Sequence, residues 1–531
     1  MATTMTLRLN APGMTALHKA GLAGLYMTLQ AFDGKEQKIH GLEWQLESKQ
    51  VVLTWTENTP KAAFEKLIKK SFWIDDKGFI RLAGLEPERE LNYAQRHHLY
   101  NALLNSFLQY GKHREKSAKT TLSYDVGDNK IYWLKDFEPI KQFIHRKVVE
   151  DKNIAKDWID NKGSFREKVK IIGWLYPGGS VRHVDSISQK ATTIKEPFEL
   201  ALLLLFAPVG VIYYLISSRV KGRKTRLALL LPEIKDLGIY ARLRQVIAAQ
   251  AVLELTASSA SDAALRMLLT IETSSISNHF AKLMRDRFFC RVITFGIVAW
   301  NEKQKSRTAT RNIFSGNLSG LENYRLAAAL FKNRWQQVSA KRNEPERYFA
   351  TTFSARELIA DNIASSEVWY HNIADYMTRK ETREQLFYER KELGQMVEEA
   401  KFDDERERLF IKVCHESWRR RLGKLGERAM RENANFSSLA RKEAERLRTS
   451  LARCKNAETL RGTVVDFWSR GGTNELLQGD GLINLWPLFD EKNWRTAKDL
   501  VLLALVSYQP QSREEADALK DGSNLEGENA Q

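Results

Sequence analysis

Residues 200–216 read Leu-Ala-Leu-Leu-Leu-Leu-Phe-Ala-Pro-Val-Gly-Val-Ile-Tyr-Tyr-Leu-Ile, without one charged side chain. How this stretch is read decides the fold. A bilayer span needs about 20 apolar residues; this run is shorter, and Pro208 and Gly210 interrupt it. The residue types also change across Pro208. Leu and Ala, good helix formers, precede it, whereas Val211, Ile212, Tyr213 and Tyr214, good strand formers, follow. The stretch therefore reads as a buried helix, a turn and a central strand, and the chain as soluble α+β with no membrane partner.

Working outward, a second strand at Leu227–Leu231 follows the Val211–Ser217 strand, and Arg291–Trp300 reads as a further one. Towards the N-terminus, Thr6–Leu9 is extended, Ala11-Pro12-Gly13 breaks it, and Thr15 caps a helix from Ala16 to about Phe32. Gln50–Trp55 is a strand, Pro60 opens a helix through Lys70, and Phe72–Leu82 is a hairpin turning at Asp76-Lys77-Gly78. A helix runs from Asn92 to Tyr110 on an apolar stripe of Leu99, Leu103, Leu104, Phe107 and Leu108. Lys168–Leu175 reads as a strand entering the Tyr176–Ser180 turn. From about Leu321 to Val506 strand signals fade and helical periodicity dominates. The expected organisation is an N-terminal mixed α/β domain over 1–195, a second mixed region with a basic hairpin over 196–320, a C-terminal helical bundle over 321–510, and an acidic disordered tail over 511–531.

The chain has 531 residues, 43% of them hydrophobic, with 13 Trp, 24 Phe and 16 Tyr, enough for large cores. Lys and Arg number 83 against 66 Asp and Glu, a formal charge of +17 that favours a polyanionic partner. The three cysteines, Cys290, Cys414 and Cys454, form neither a disulfide framework nor a zinc pattern, which points to a reducing cytoplasm. Met1–Gly24 lacks the charged and apolar regions of a secretory signal.

Enzyme motifs are missing. There is no phosphate-cradling G-x-x-x-x-G-K-[ST] loop; Gly222-Arg223-Lys224-Thr225 only echoes one. His97 and His98 are adjacent on a helix and point about 100° apart, so they do not chelate in the i, i+4 manner. Asp75-Asp76 and Asp403-Asp404 could each hold Mg²⁺ with a third carboxylate, but each has an ordinary turn or helix-start explanation. No catalytic residue, metal or cofactor is expected. A metal-dependent nuclease, a basic membrane-associated protein and a protein-only scaffold are the rival readings.

Binding features are present instead. Arg219, Lys221, Arg223, Lys224 and Arg226 crowd the turn between two strands, where they can clamp a phosphate backbone. Gly178 and Gly179, with Arg182 behind them, allow close backbone approach to bases or phosphates. Trp174 and Tyr176 beside them offer stacking, or are core. Lys112, His113 and Arg114 form a third basic stretch. Arg420, Lys424, Arg428 and Arg431 recur at helical spacing beside an apolar stripe of Trp418, Leu422, Leu425 and Ala429. That stripe suits a displaced strand; the alternative is a solvated face whose cations pair with Glu427, Glu432, Glu443 and Glu445.

The strings Thr6-Leu-Arg-Leu-Asn-Ala-Pro-Gly-Met-Thr15, Gly21-Leu-Ala-Gly24, Phe107-Leu-Gln-Tyr-Gly-Lys112, Gly173-Trp-Leu-Tyr-Pro-Gly-Gly-Ser-Val-Arg-His183 and Leu203-Leu-Leu-Phe-Ala-Pro-Val-Gly210 resemble the large subunit of type I CRISPR surveillance complexes (Cascade), of the Myxan-type, I-B-related group. The resemblance covers the first half, to about Tyr240. It implies a non-catalytic subunit at the foot of a crRNA-guided complex, beside backbone, crRNA-capping and small subunits. Such a subunit reads the protospacer-adjacent motif (PAM) in double-stranded target DNA, promotes R-loop formation and holds the displaced strand, while guide pairing supplies sequence specificity. It recruits a helicase-nuclease in defence systems or a transposition adaptor in transposon-encoded ones. On this reading the 1–195 domain faces PAM and crRNA end, and the 321–510 bundle resembles the small subunit. The resemblance also implies that a separate small subunit can start inside the same gene, with Met396 as the candidate.

Overall fold

The apolar run at 200–216 resolves into a helix, Phe198–Gly210, and a strand, Ile212–Ile216, in the computed structural model. The structure describes residues 3–34, 37–57, 59–86, 91–107, 114–118, 120–125, 131–177, 182–184, 191–218, 225–273, 288–297, 307–315, 319–338 and 347–510. The helix continues through Pro208 to Gly210, where a turn was expected. Proline is tolerated there because it sits in the last helical turn, where only one backbone bond is forfeited. The unpaired carbonyls at and just beyond the helix C-terminus find other donors. Tyr213 Oη donates to the Pro208 carbonyl (2.7 Å), Tyr240 Oη to that of Gly210, and Arg244 Nε to those of Val209 and Val211 (3.1 and 2.9 Å). A guanidinium at a helix C-terminus also opposes the helix dipole.

Among the described residues, no helix is long and apolar enough to cross a membrane. The Phe198–Gly210 helix is buried because it packs along the first helix, Ala16–Gly34, at very close range. Glycines make that approach possible. A Cβ on Gly21 would lie 2.0 Å from the Leu203 carbonyl oxygen, one on Gly24 2.1 Å from that of Phe206, and one on Gly210 1.8 Å from that of Ala20.

The described residues of Met1–Ser217, Lys224–Gly316 and Asn333–Thr351 form one compact unit, and those of Ser218–Arg223, Asn317–Lys332 and Thr352–Gln531 a second. In the first, Gln50–Trp55 is the middle strand of an antiparallel sheet between Thr3–Arg8 and Leu42–Leu46. A five-stranded sheet runs in the order Thr256–Ala257, Ile212–Ile216, Arg226–Pro232, Phe288–Ile297, Arg307–Ser315. All its pairings are antiparallel except that of the short first strand. Leu227 to Leu231 are all buried, so this strand reads as a continuous apolar run, with no alternation. The helix expected from Asn92 spans Tyr93–Ser106 behind an Asn92–Gln95 capping box; residues 108–110 lie outside the described part.

Two strand expectations change. Only Lys168–Lys170 is extended; Trp174 and Leu175 lie in a turn and are buried, Trp174 edge-on to His145 at 4.9 Å. Trp174 is therefore core, and unavailable for stacking. A hairpin, Arg334–Val338 with Arg347–Thr351, falls inside the stretch read as helical, and it belongs to the first unit. Its two five-residue strands are too short to stand out against the helical periodicity around them.

In the second unit the Trp494–Ser507 helix is buried on nearly every side, as befits a central helix. Around it pack Glu405–Glu432, Ala457–Gly471 and Arg390–Glu399, among others. The Glu405–Glu432 helix starts at an Asp404 N-cap and ends at Asn433 in the left-handed conformation (φ 51°). Two buried polar side chains are matched here: Asp499 accepts from the Asn372 and Ala374 backbone N–H groups, and Asn474 Nδ2 donates to the Val413 carbonyl and Ser417 Oγ.

Candidate nucleic-acid interface

Of the basic turn between Ile212–Ile216 and Arg226–Pro232, only Arg226 is described; Arg219, Lys221, Arg223 and Lys224 lie outside the described residues. Arg226 opens its strand opposite Ile216 and is half-buried. No ion pair or side-chain hydrogen bond engages it among the described residues. It lines a cavity of about 360 Å³.

The other walls come from separated parts of the first unit. The Tyr93–Ser106 helix contributes His97, His98, Asn101 and Asn105, and Trp335 and Phe349 come from the Arg334–Thr351 hairpin. Spacing of four puts His97, Asn101 and Asn105 in one row along the helix. Asn101 Nδ2 donates to His97 Nε2 (2.7 Å), and Asn105 Nδ2 to the Asn101 carbonyl (2.8 Å). His98 turns away, donating from Nε2 to the Tyr213 carbonyl (3.2 Å). Burial lowers both imidazoles to about 4, so both are neutral at pH 7. Because His97 Nε2 faces Asn101 and His98 Nε2 faces Tyr213, the two rings form no chelating pair.

The remaining candidates fall elsewhere. Lys112, His113, Gly178 and Gly179 lie outside the described residues. Arg182 stands in a short strand paired with Ala191–Thr193. Arg114 bridges to Ile140 through its backbone, and its Nε is enclosed without a hydrogen-bond partner among the described residues. Tyr176 is half-buried, with its hydroxyl 3.3 Å from Thr15 Oγ1.

In the second unit, Trp418, Leu422, Leu425 and Ala429 are buried, as their stripe requires. Three of the four cations beside them have partners among the described residues. Arg420 pairs with Glu416 at 2.5 Å and Glu475 at 3.5 Å, and Arg428 with Glu432 at 2.9 Å. Lys424 donates to the Arg470 carbonyl (3.3 Å). Glu443 takes Arg421, which lies outside the stripe. Arg431 is exposed and has no ion pair among the described residues.

One carboxylate of each Asp pair serves the backbone. Asp75 accepts from the Lys77 and Phe79 N–H groups, and Asp404 from that of Arg406. No group of three or more His, Cys, Asp or Glu among the described residues is placed to hold a metal ion.

Residues 6–205 match the family model of the DevT N-terminal domain, and residues 397–531 that of the DevT C-terminal domain. The first match lies within the first unit and the second within the second unit. The chain is also 27% identical, over 558 residues, to the CRISPR-associated protein Cas8a1/Csx13 of Myxococcus xanthus (strain DK1622). That likeness covers 99% of this chain and 92% of the relative. Together with the matches to the two DevT models, it supports a CRISPR-associated large subunit.

Sequence reading singled out Arg226 but missed Asn101, Asn105, Trp335 and Phe349. On the helix, the asparagines looked like an ordinary polar face. The aromatics lie more than a hundred residues beyond the strand they flank, so no local signal joins them to Arg226.

Proposed function

We propose that this chain is the non-catalytic large subunit of a crRNA-guided type I surveillance complex, I-B-related and Myxan-type, acting in the cytoplasm without a cofactor. It recognises PAM duplex, promotes R-loop formation and stabilises the displaced strand. Its partners are crRNA, target DNA, and the backbone, crRNA-capping and small subunits. It then recruits a downstream effector, a transposition adaptor or a helicase-nuclease. The observation that carries this reading is the likeness to a CRISPR-associated protein along nearly the full length of both chains. The +17 charge supports it, because such an excess favours a polyanionic partner.

Within this reading the turn cations 219–226 and the 112–114 stretch contact PAM duplex or the crRNA 5′ end, and Gly178–Gly179 approaches a groove. Arg431 is the stripe cation best suited to displaced strand, since its neighbours have carboxylate or carbonyl partners. Met396 stands one residue before the C-terminal DevT match and is the candidate start of an internally translated small subunit. A C-terminally tagged gene yielding no fragment of that size, or one unaffected by Met396→Ala, rejects that start.

The principal test is co-expression with the genomic neighbours, purification through a tag on this chain, and sequencing of the bound RNA. Short RNAs of uniform length with a constant 5′ end are expected. Intact neighbours with no bound RNA would overturn the proposal. Whether an adaptor or a helicase-nuclease joins the DNA-loaded complex distinguishes the transposition and defence settings.

A further inference from the structure

The cavity beneath the Tyr93–Ser106 helix combines three kinds of wall. Trp335 and Phe349 supply aromatic surface, and Phe349 is 38% exposed. On the helix side, Asn101 and Asn105 each commit one N–H locally. Their amide oxygens have no partner among the described residues, nor have their second N–H groups. Each amide thus presents one acceptor and one donor side by side, the pairing that matches a base edge. Arg226, free of any ion pair among the described residues, adds a cation to the same lining. Stacking surface, edge-reading amides and a phosphate-seeking guanidinium are what recognition of an unstacked nucleotide requires. The volume, about 360 Å³, is at the small end for ligand cavities, which run from about 300 to 1,000 Å³. It suits one nucleotide and excludes a duplex.

We infer that this cavity receives the base of one unpaired nucleotide. The base stacks on the Trp335–Phe349 wall, its edge meets Asn101 and Asn105, and its phosphate lies at Arg226. The inference deepens the proposed function and rests on it for the class of partner. The nucleotide's source is either guide RNA or the opened DNA strand, since both offer the same base and phosphate chemistry.

The test uses the full-length chain with single-stranded RNA and DNA oligonucleotides carrying 2-aminopurine, together with a duplex of the same sequence. Stacking in the cavity quenches 2-aminopurine. Phe349→Ala should abolish the quench and weaken single-strand binding roughly five- to hundredfold, leaving duplex affinity within about twofold. Arg226→Gln should lower the single-strand salt slope by about 0.7, whereas Phe349→Ala leaves that slope unchanged. Asn105→Ala, at an exposed position, gives a third variant should Phe349→Ala fail to fold, and should likewise reduce the quench. Quenching of RNA alone assigns the nucleotide to the guide, and of DNA alone to the opened strand; both mean that the 2′-hydroxyl is not read. Wild-type binding and quenching that all three folded variants retain would overturn the cavity assignment and leave the proposed function standing. No binding of any oligonucleotide or duplex by the wild type would instead count against the nucleic-acid-binding reading itself, and this inference with it.

Discussion

His145 illustrates how single residues set the pH behaviour of this protein. Its ring stacks on Phe143 (4.7 Å) and meets Phe72, Phe107 and Trp174. Neither ring nitrogen has a hydrogen-bond partner among the described residues. Burial pushes its pKa down to about 3, and those of His97, His98 and His415 down to about 4. Folded, these rings stay neutral; unfolded, they titrate near their ordinary value of about 6.5. Their contribution is therefore fully present above about pH 6.5 and lost as pH falls towards 4. At pH 5.5 each costs on the order of 1 kcal/mol. His145→Phe should keep or raise stability at pH 7.5 and show a smaller drop in melting temperature between pH 7.5 and 5.5. An unchanged drop would mean that His145 is not held neutral. Asp499 has the opposite sign: burial raises its carboxyl to about 6, although two backbone N–H groups bond to it. Its contribution is present below about pH 4 and disappears as pH rises to about 6, so it offsets part of the histidine effect over that window.

At the scale of elements, the glycine seam between Ala16–Gly34 and Phe198–Gly210 and the exposed glycines of the second unit should respond in opposite directions. Gly21→Ala places a methyl 2.0 Å from a carbonyl oxygen, so the helices must separate, at a cost of about 3 kcal/mol or more. Gly423 and Gly462 sit within helices and have nothing within 4 Å of an added Cβ. Gly423→Ala and Gly462→Ala should each stabilise by about 0.5–1 kcal/mol, mainly by reducing the freedom of the unfolded chain. Denaturant unfolding that resolves the two units measures both; equal effects would contradict the packing described. The same long helix separates its cations. Arg431→Gln should lower the salt slope for single-stranded DNA by about 0.7, and Arg428→Gln by less, because Glu432 already engages Arg428. Periodicity placed the apolar and charged faces of this helix. It left open which cations pair, because Glu475, a partner of Arg420, arrives from a different element.

For the whole molecule, the +17 charge should appear as a steep salt dependence of DNA binding, with a log–log slope of about −0.9 per phosphate contacted on duplex. Neutralising Arg223 and Lys224 together should reduce its magnitude by roughly one to two. Titrations at several salt concentrations check this, and an unchanged slope would remove the basic turn from the contact surface. What the sequence determined by itself is what short-range physics encodes. The strand Gln50–Trp55, the Phe72–Leu82 hairpin, the capped helix after Asn92 and the helix-to-strand switch across 200–216 all follow from local propensity, breakers and periodicity. Net charge, being a sum over residues, was equally legible. Tertiary structure decided the rest. It carried the 198–210 helix through Pro208, because Tyr213, Tyr240 and Arg244 supply donors to the carbonyls around its C-terminal end. It buried Trp174 against His145, and it brought Asn101, Arg226, Trp335 and Phe349 around one cavity. Those groupings depend on contacts between residues tens to hundreds of positions apart, whose proximity arises only when the sheets and helices pack.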